Sequence, residues 1–193
     1  MKKTHLLFAL LLTSFYGFAQ EAMDATSKKN EISSNLFDLV VAGSFNVNYE
    51  RYLEKNQSLF IGATFFDTYA YYDTGYIKDS DAISLKAAYI IYFSNKKDHA
   101  GFFFYPQAKF RIGTVTVNEY QYYDHISDTT IEEEFSYDVD GFSLGFGIGH
   151  KWVFNDTFTL GVNGQVARNL GSFDDDYLDN VEPRFGINFG IRF

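Results

Sequence analysis

From Phe185 to the C-terminus, Phe185, Ile187, Phe189, Ile191 and Phe193 alternate strictly with Gly186, Asn188, Gly190 and Arg192. Successive side chains of a strand point to opposite faces, so this period of two predicts a strand with one apolar and one small or polar face. The pattern returns along the chain. Phe45, Val47 and Tyr49 alternate with Asn46, Asn48 and Glu50, and Leu59, Ile61, Ala63 and Phe65 alternate with Phe60, Gly62, Thr64 and Phe66. Ile83 to Phe93, Phe142 to Lys151 and Phe158 to Gln165 repeat it, and no segment reads at the helical period of 3.6. With a weaker strand near 31–40 and another at 101–117, the strands number eight. An even number suits a closed antiparallel barrel of the bacterial type.

Alternation leaves open which face is inside, because a soluble lipocalin-like barrel turns its apolar face inward and a membrane barrel turns it to lipid. Three features select the membrane arrangement. The non-apolar positions of the last strands are mostly Gly, Asn, Lys and Arg, which suit a narrow lumen better than a solvated surface. Connections alternate between tight ones (Glu54–Gln57, Ser94–Asp98, Asn155–Asp156) and long polar ones (about 70–80, 118–140 and 172–182), as short periplasmic turns alternate with long external loops. Aromatics crowd the strand ends, where amphipathic rings favour membrane interfaces. Tyr69, Tyr71, Tyr72, Tyr76, Tyr120, Tyr122, Tyr123, Phe135 and Tyr137 lie toward the loops. Tyr92, Phe93, Phe102, Trp152, Phe154 and Phe158 lie toward the turns. The expected fold is therefore all-β, an eight-stranded antiparallel up-and-down transmembrane β-barrel.

The terminal strand, ending on Phe193, resembles the last strand of outer-membrane β-barrels. Asn35-Leu36-Phe37, Tyr49-Glu50-Arg51, Gly147 to Trp152 and Arg168-Asn169-Leu170 extend the resemblance to small eight-stranded barrels of the OmpA/OmpX type, in particular an "outer membrane protein beta-barrel domain" family, over residues 31–193. That resemblance implies an address and an assembly signal, Phe185, Ile187, Phe189, Ile191 and Phe193, read by the barrel-assembly machinery. It implies no common activity. Pro106 inside one strand suggests a bulge, and Arg168 on the lipid-facing parity suggests a place at the outer rim or a bulge.

The N-terminus agrees with export. Lys2 and Lys3, an apolar run from Leu6 to Leu12, and small Gly17 and Ala19 at the −3 and −1 positions form a signal-peptide layout cleaved before Gln20. The expected organisation is a signal peptide over 1–19, a short periplasmic segment over 20–30 and the outer-membrane barrel over 31–193. The absence of Cys excludes disulfides, thiolate metal sites and a Cys nucleophile, and a net charge of −9 argues against nucleic acid.

Candidate chemistry is sparse. His99, His125 and His150 stand at no metal or triad spacing, and Ser143 and His150 are too far apart on one strand to act together in acyl transfer. No cofactor is implied. Parity instead places Glu50, Lys86, Lys109, Arg111, Lys151, Arg184 and Arg192 in the lumen, with Asn46, Asn48, Asn163, Gln165 and Asn188 between them. Buried charge demands partners, so Glu50 should contact at least one of these cations and the lumen should be plugged. The segments 67–81, 118–140 and 172–182 hold four, eight and five acids against one Lys. Glu132, Glu133, Glu134, Asp174, Asp175 and Asp176 are their densest runs. Divalent cations or a cationic surface partner are the candidate ligands, although the runs lack the spacing of a dedicated Ca²⁺ loop. The loop 118–140 should be mobile on its own and gain order with such a partner. A non-enzymatic outer-membrane barrel in contact with lipid, with a structural or surface role, is the leading expectation. A lipid-modifying enzyme and a soluble exported barrel holding a small apolar ligand are the alternatives.

Overall fold

The computed structural model describes residues 28–54, 56–68, 77–94, 98–124, 129–170 and 180–193, with the backbone alone for 118–124 and 129–133. The expected signal peptide and the run Asp174–Asp176 lie outside these residues, as do His125, Tyr69, Tyr71, Tyr72 and Tyr76.

Eleven strands form in chain order: β1 (Asn30–Asn35), β2 (Phe45–Tyr52), β3 (Gln57–Phe65), β4 (Ile77–Ser80), β5 (Ile83–Tyr92), β6 (Gly101–Ile112), β7 (Thr114–Asp124), β8 (Thr129–Asp138), β9 (Gly141–Phe154), β10 (Phe158–Asn169) and β11 (Val181–Arg192). Eight of them, β1, β2, β3, β5, β6, β9, β10 and β11, close into an antiparallel barrel. The seam is β1 on β11, in register from Glu31↔Arg192 to Asn35↔Asn188. Hydrogen bonds between Asn30 and Phe193 continue it to the chain end, at 2.9 Å and 3.1 Å.

Burial settles which face is inside. Ile61, Leu85, Phe146 and Ile148 are each more than half exposed, whereas Asn46, Asn48, Glu50, Lys109 and Arg111 are buried. A soluble barrel has the opposite arrangement; this exterior is built for lipid. Connections alternate as the sequence suggests. At the turn end, Asn155 and Asp156 both take φ of 50°, and Thr157 N–H donates to the Phe154 carbonyl at 3.0 Å. Positive φ at both central residues marks the two-residue hairpin turn that matches strand twist.

Four local expectations change. The strand near 31–40 ends at Asn35, and one π-helical turn over Asp38–Ala42 follows it, carrying Asp38 into the buried interior. The strand expected over 101–117 ends at Ile112. Gly113, at φ 129°, redirects the chain into β7, and a Cβ there would lie 2.5 Å from Ala82 Cα. Within 118–140 the described residues lie in strand up to Asp138: β7 and β8 pair, and β4 joins them in a separate three-stranded sheet. Ala82, Val115 and Val139 form a small apolar core beside it. Finally, Pro106 makes no bulge. It faces outward and pairs with Phe146, and the β5–β6 ladder lapses between Ala88↔Gln107 and Ile91↔Phe104 without a register shift. Arg168 is exposed at the loop end of β10, one residue before the strand stops.

Candidate functional site: the charged lumen

The inward positions of the barrel carry two ionic clusters, one beneath the loops and one above the turns. Lys109 and Arg111, two apart on β6, share a face with Arg184 of β11. Between them sits Asp67, just past β3 and fully enclosed. Its Oδ2 lies 3.0 Å from Lys109 Nζ and accepts from Arg111 Nε at 2.9 Å, and its Oδ1 accepts from Arg184 Nη2. Glu182, two residues before Arg184 and on the same face, accepts from Arg111 Nη2 at 2.8 Å, Arg184 Nε at 2.7 Å and Lys109 Nζ. Asp38 completes the group 3.7 Å from Arg184 Nη1 and accepts from Asn46 Nδ2 at 2.9 Å. Three carboxylates thus meet three cations. Burial alone would raise Asp67, but Arg184, Lys109 and Arg111 together hold it well below the ordinary carboxylate value.

The lower cluster centres on Lys151 of β9. Its Nζ contacts Glu50 Oε2 at 2.6 Å and Glu31 Oε1 at 3.1 Å. Ser58 Oγ and Tyr92 Oη donate to Glu50 Oε1 at 2.5 Å and 2.6 Å, and Tyr52 Oη donates to Glu31. Arg192 lies over the Tyr52 ring at 4.6 Å and donates to the His99 carbonyl at 2.6 Å. Lys151 lies 5.5 Å and 5.4 Å from the Tyr52 and Tyr92 ring centres, so both cations gain ring faces as well as carboxylates.

His99 closes the floor. Its Nε2 lies 2.7 Å from the Leu53 carbonyl and 3.1 Å from that of Gln57. Two acceptors fix the proton on Nε2, leaving Nδ1 bare and buried. Burial lowers its pKa below the usual imidazole value. The ring stacks on Tyr52 with centroids 4.5 Å apart.

Between the clusters the lumen is half aromatic. Ala88, Ile90, Tyr92, Phe103 and Tyr105 cluster on the β5–β6 side, with Phe60 of β3 against them. Gly147 makes this possible, since a Cβ there would fall 2.3 Å from the Tyr105 ring. On the other side Asn163 donates to Tyr105 Oη at 2.9 Å, and Asn188 donates to Asn163 at 2.6 Å. Lys86 stands between the two, 3.4 Å from Gln165 Oε1 and 4.9 Å above the Phe60 ring. Between the clusters lie a lower cavity of about 60 Å³ and an upper one of about 40 Å³, both lined by Lys86; a larger space of about 510 Å³ lies at the turn end, against Tyr52, Leu53 and His99.

All seven inward charges named from parity lie in this lumen, and Glu50 contacts Lys151. Sequence reasoning missed Glu31, Asp38, Asp67 and Glu182. Glu31 and Asp38 fell in the weakest strand, and Asp67 and Glu182 were counted among the external acids. Tyr92, expected in the interfacial belt, points inward to Glu50. Phe185, Phe189, Ile191 and Phe193 are exposed on the outer face, and Ile187 shares their parity. Glu134 pairs with Lys78 across β8 and β4, on an exposed surface. Ser143 points into the lumen, and His150 lies on the outer parity against Trp152 (centroids 4.4 Å apart) and Phe102. The two therefore stand on opposite faces of β9.

No family model matches the chain, and no curated protein matches it in sequence. Among solved structures it is similar to the N-terminal β-barrel domain of Pseudomonas aeruginosa OprF, at 14% identity and a TM-score of 0.43, covering 89% of this chain and 100% of that one. It is also similar to Neisserial surface protein A (NspA), at 12% identity and a TM-score of 0.42, covering 85% and 92%. The barrel assignment rests on the closed strand ladder.

Proposed function

We propose that this protein is a non-enzymatic integral outer-membrane barrel whose lumen is closed by its own side chains and whose external segments serve a structural or surface-interaction role. One observation carries the reading: charged groups from five of the eight barrel strands neutralise one another across the lumen, with cavities of only about 60 Å³ and 40 Å³ between the two clusters. An eight-stranded barrel has just enough interior for side chains, and ion pairs in that space hold it shut. The five lumen carboxylates are each committed to a cation. Most of the acids outside the lumen belong to the three-stranded sheet and the other loop-end segments, where they repel anions and favour cationic partners.

Fractionation tests this reading. The protein should stay in the carbonate-washed outer-membrane pellet and change its gel mobility on boiling, and protease added to intact cells should cut within the β7–β8 hairpin. Recovery as a soluble periplasmic protein would overturn it. Appearance of a specific acyl change in membrane lipid that depends on the gene would favour the enzyme reading instead.

A further inference from the structure

We infer that the upper lumen cavity is a binding site for a small monovalent anion of chloride size, held by Lys86. The upper cluster matches three carboxylates to three cations, and the lower cluster matches Glu31 and Glu50 to Lys151 and Arg192. Lys86 is left over. Among the described residues no carboxylate lies within salt-bridge distance of its Nζ, and its one hydrogen bond, to Gln165, is long at 3.4 Å. Its strand register adds to the excess, because Lys86 is directly opposite Lys109 on β6 and like charges so placed repel. An uncompensated charge enclosed in a protein is costly, and a counter-ion removes that cost if there is room.

The room is beside it. The cavity of about 40 Å³ is walled by Lys86, Lys109 and Arg184 against the single carboxylate of Asp38. Ser84 and Thr64 bring hydroxyls to the same wall, and Asn48 brings an amide. One water needs about 10–15 Å³ of such space, so the cavity of about 40 Å³ has room for a chloride-sized ion with a water or two. Cation-rich walls with neutral donors define an anion site rather than a metal site.

This inference rests on the closed lumen but is tested apart from it. The folded protein in detergent is unfolded by heat in sodium chloride, sodium bromide and sodium gluconate at one ionic strength, and crystals grown in bromide are measured for anomalous scattering. The expected result is a midpoint that climbs by about 3–5 °C for each tenfold rise of chloride above its Kd, no such climb in gluconate, and a bromide peak in contact with Lys86 Nζ. Lys86→Met should remove the difference between chloride and gluconate. Equal midpoints in the three salts would overturn the inference, as would an empty cavity in bromide crystals of the unaltered protein. A chloride effect that survives Lys86→Met would likewise refute it. A conducting lumen would instead refute the proposed function and leave these readings separate.

Discussion

Asp67 shows how much one side chain can decide. It lies in no strand, yet it is fully enclosed and touches Lys109, Arg111 and Arg184. Removing one member of a buried ion network strands the others without a partner, at about 3–5 kcal/mol. Asp67→Ala should therefore lower the stability of the folded barrel by that order, read from urea unfolding in lipid vesicles. Glu50→Ala should cost less, because Lys151 keeps Glu31. The pH dependence follows from the depressed pKa of Asp67. Its stabilisation is fully present above the unfolded value of about 4 and is lost as pH falls through the lower folded value. Asp67→Asn should flatten the acid limb of a stability profile below pH 4. A profile unchanged in that region would remove Asp67 from the network.

At the scale of elements, β2, β3, β5, β9, β10 and β11 were legible because each shows period two over several residues, whereas the ends of β1 and β6 were not. The inward charges followed from the same parity. The partners of those charges were not legible, for a physical reason. Glu182 sits three residues before the clear alternation that begins at Phe185 of β11, and Asp67 and Asp38 reach the lumen from connections, which have no parity to read. The β7–β8 hairpin was hidden by its own charge. Runs such as Glu132–Glu134 resemble a solvated loop, while the alternation of Val115, Val117 and Phe135 with polar neighbours is short and weak. Pairing with β4 and the core at Ala82 support order in this hairpin. Amide exchange should show protection across Thr114–Val117 and Phe135–Asp138 in chelator, and complete exchange there would contradict the three-stranded sheet. Gly113→Ala should drive a Cβ against Ala82 and loosen the hairpin, visible as faster exchange in β7 with the barrel strands unchanged. At the other end, Phe193 exchanges backbone hydrogen bonds with Asn30 at the closing seam and exposes its ring at the turn-side rim. Deleting Phe193, or Phe193→Asp, should reduce the folded protein recovered from the outer membrane, and normal recovery would count against its role in closure.

For the whole molecule, the apolar exterior and the ionic interior are two consequences of one alternation. Lipid accepts the outer side chains without cost, and the lumen accepts charges because side chains reaching in from across the barrel bring opposite signs within 2.6–3.1 Å of one another. On the proposed reading, the same pairs that satisfy buried charge fill the path that an ion or solute would take. Conductance in a planar bilayer tests this most directly. Purified folded protein should insert without producing a stable open channel. A steady, large conductance from the pure protein would contradict the closed lumen.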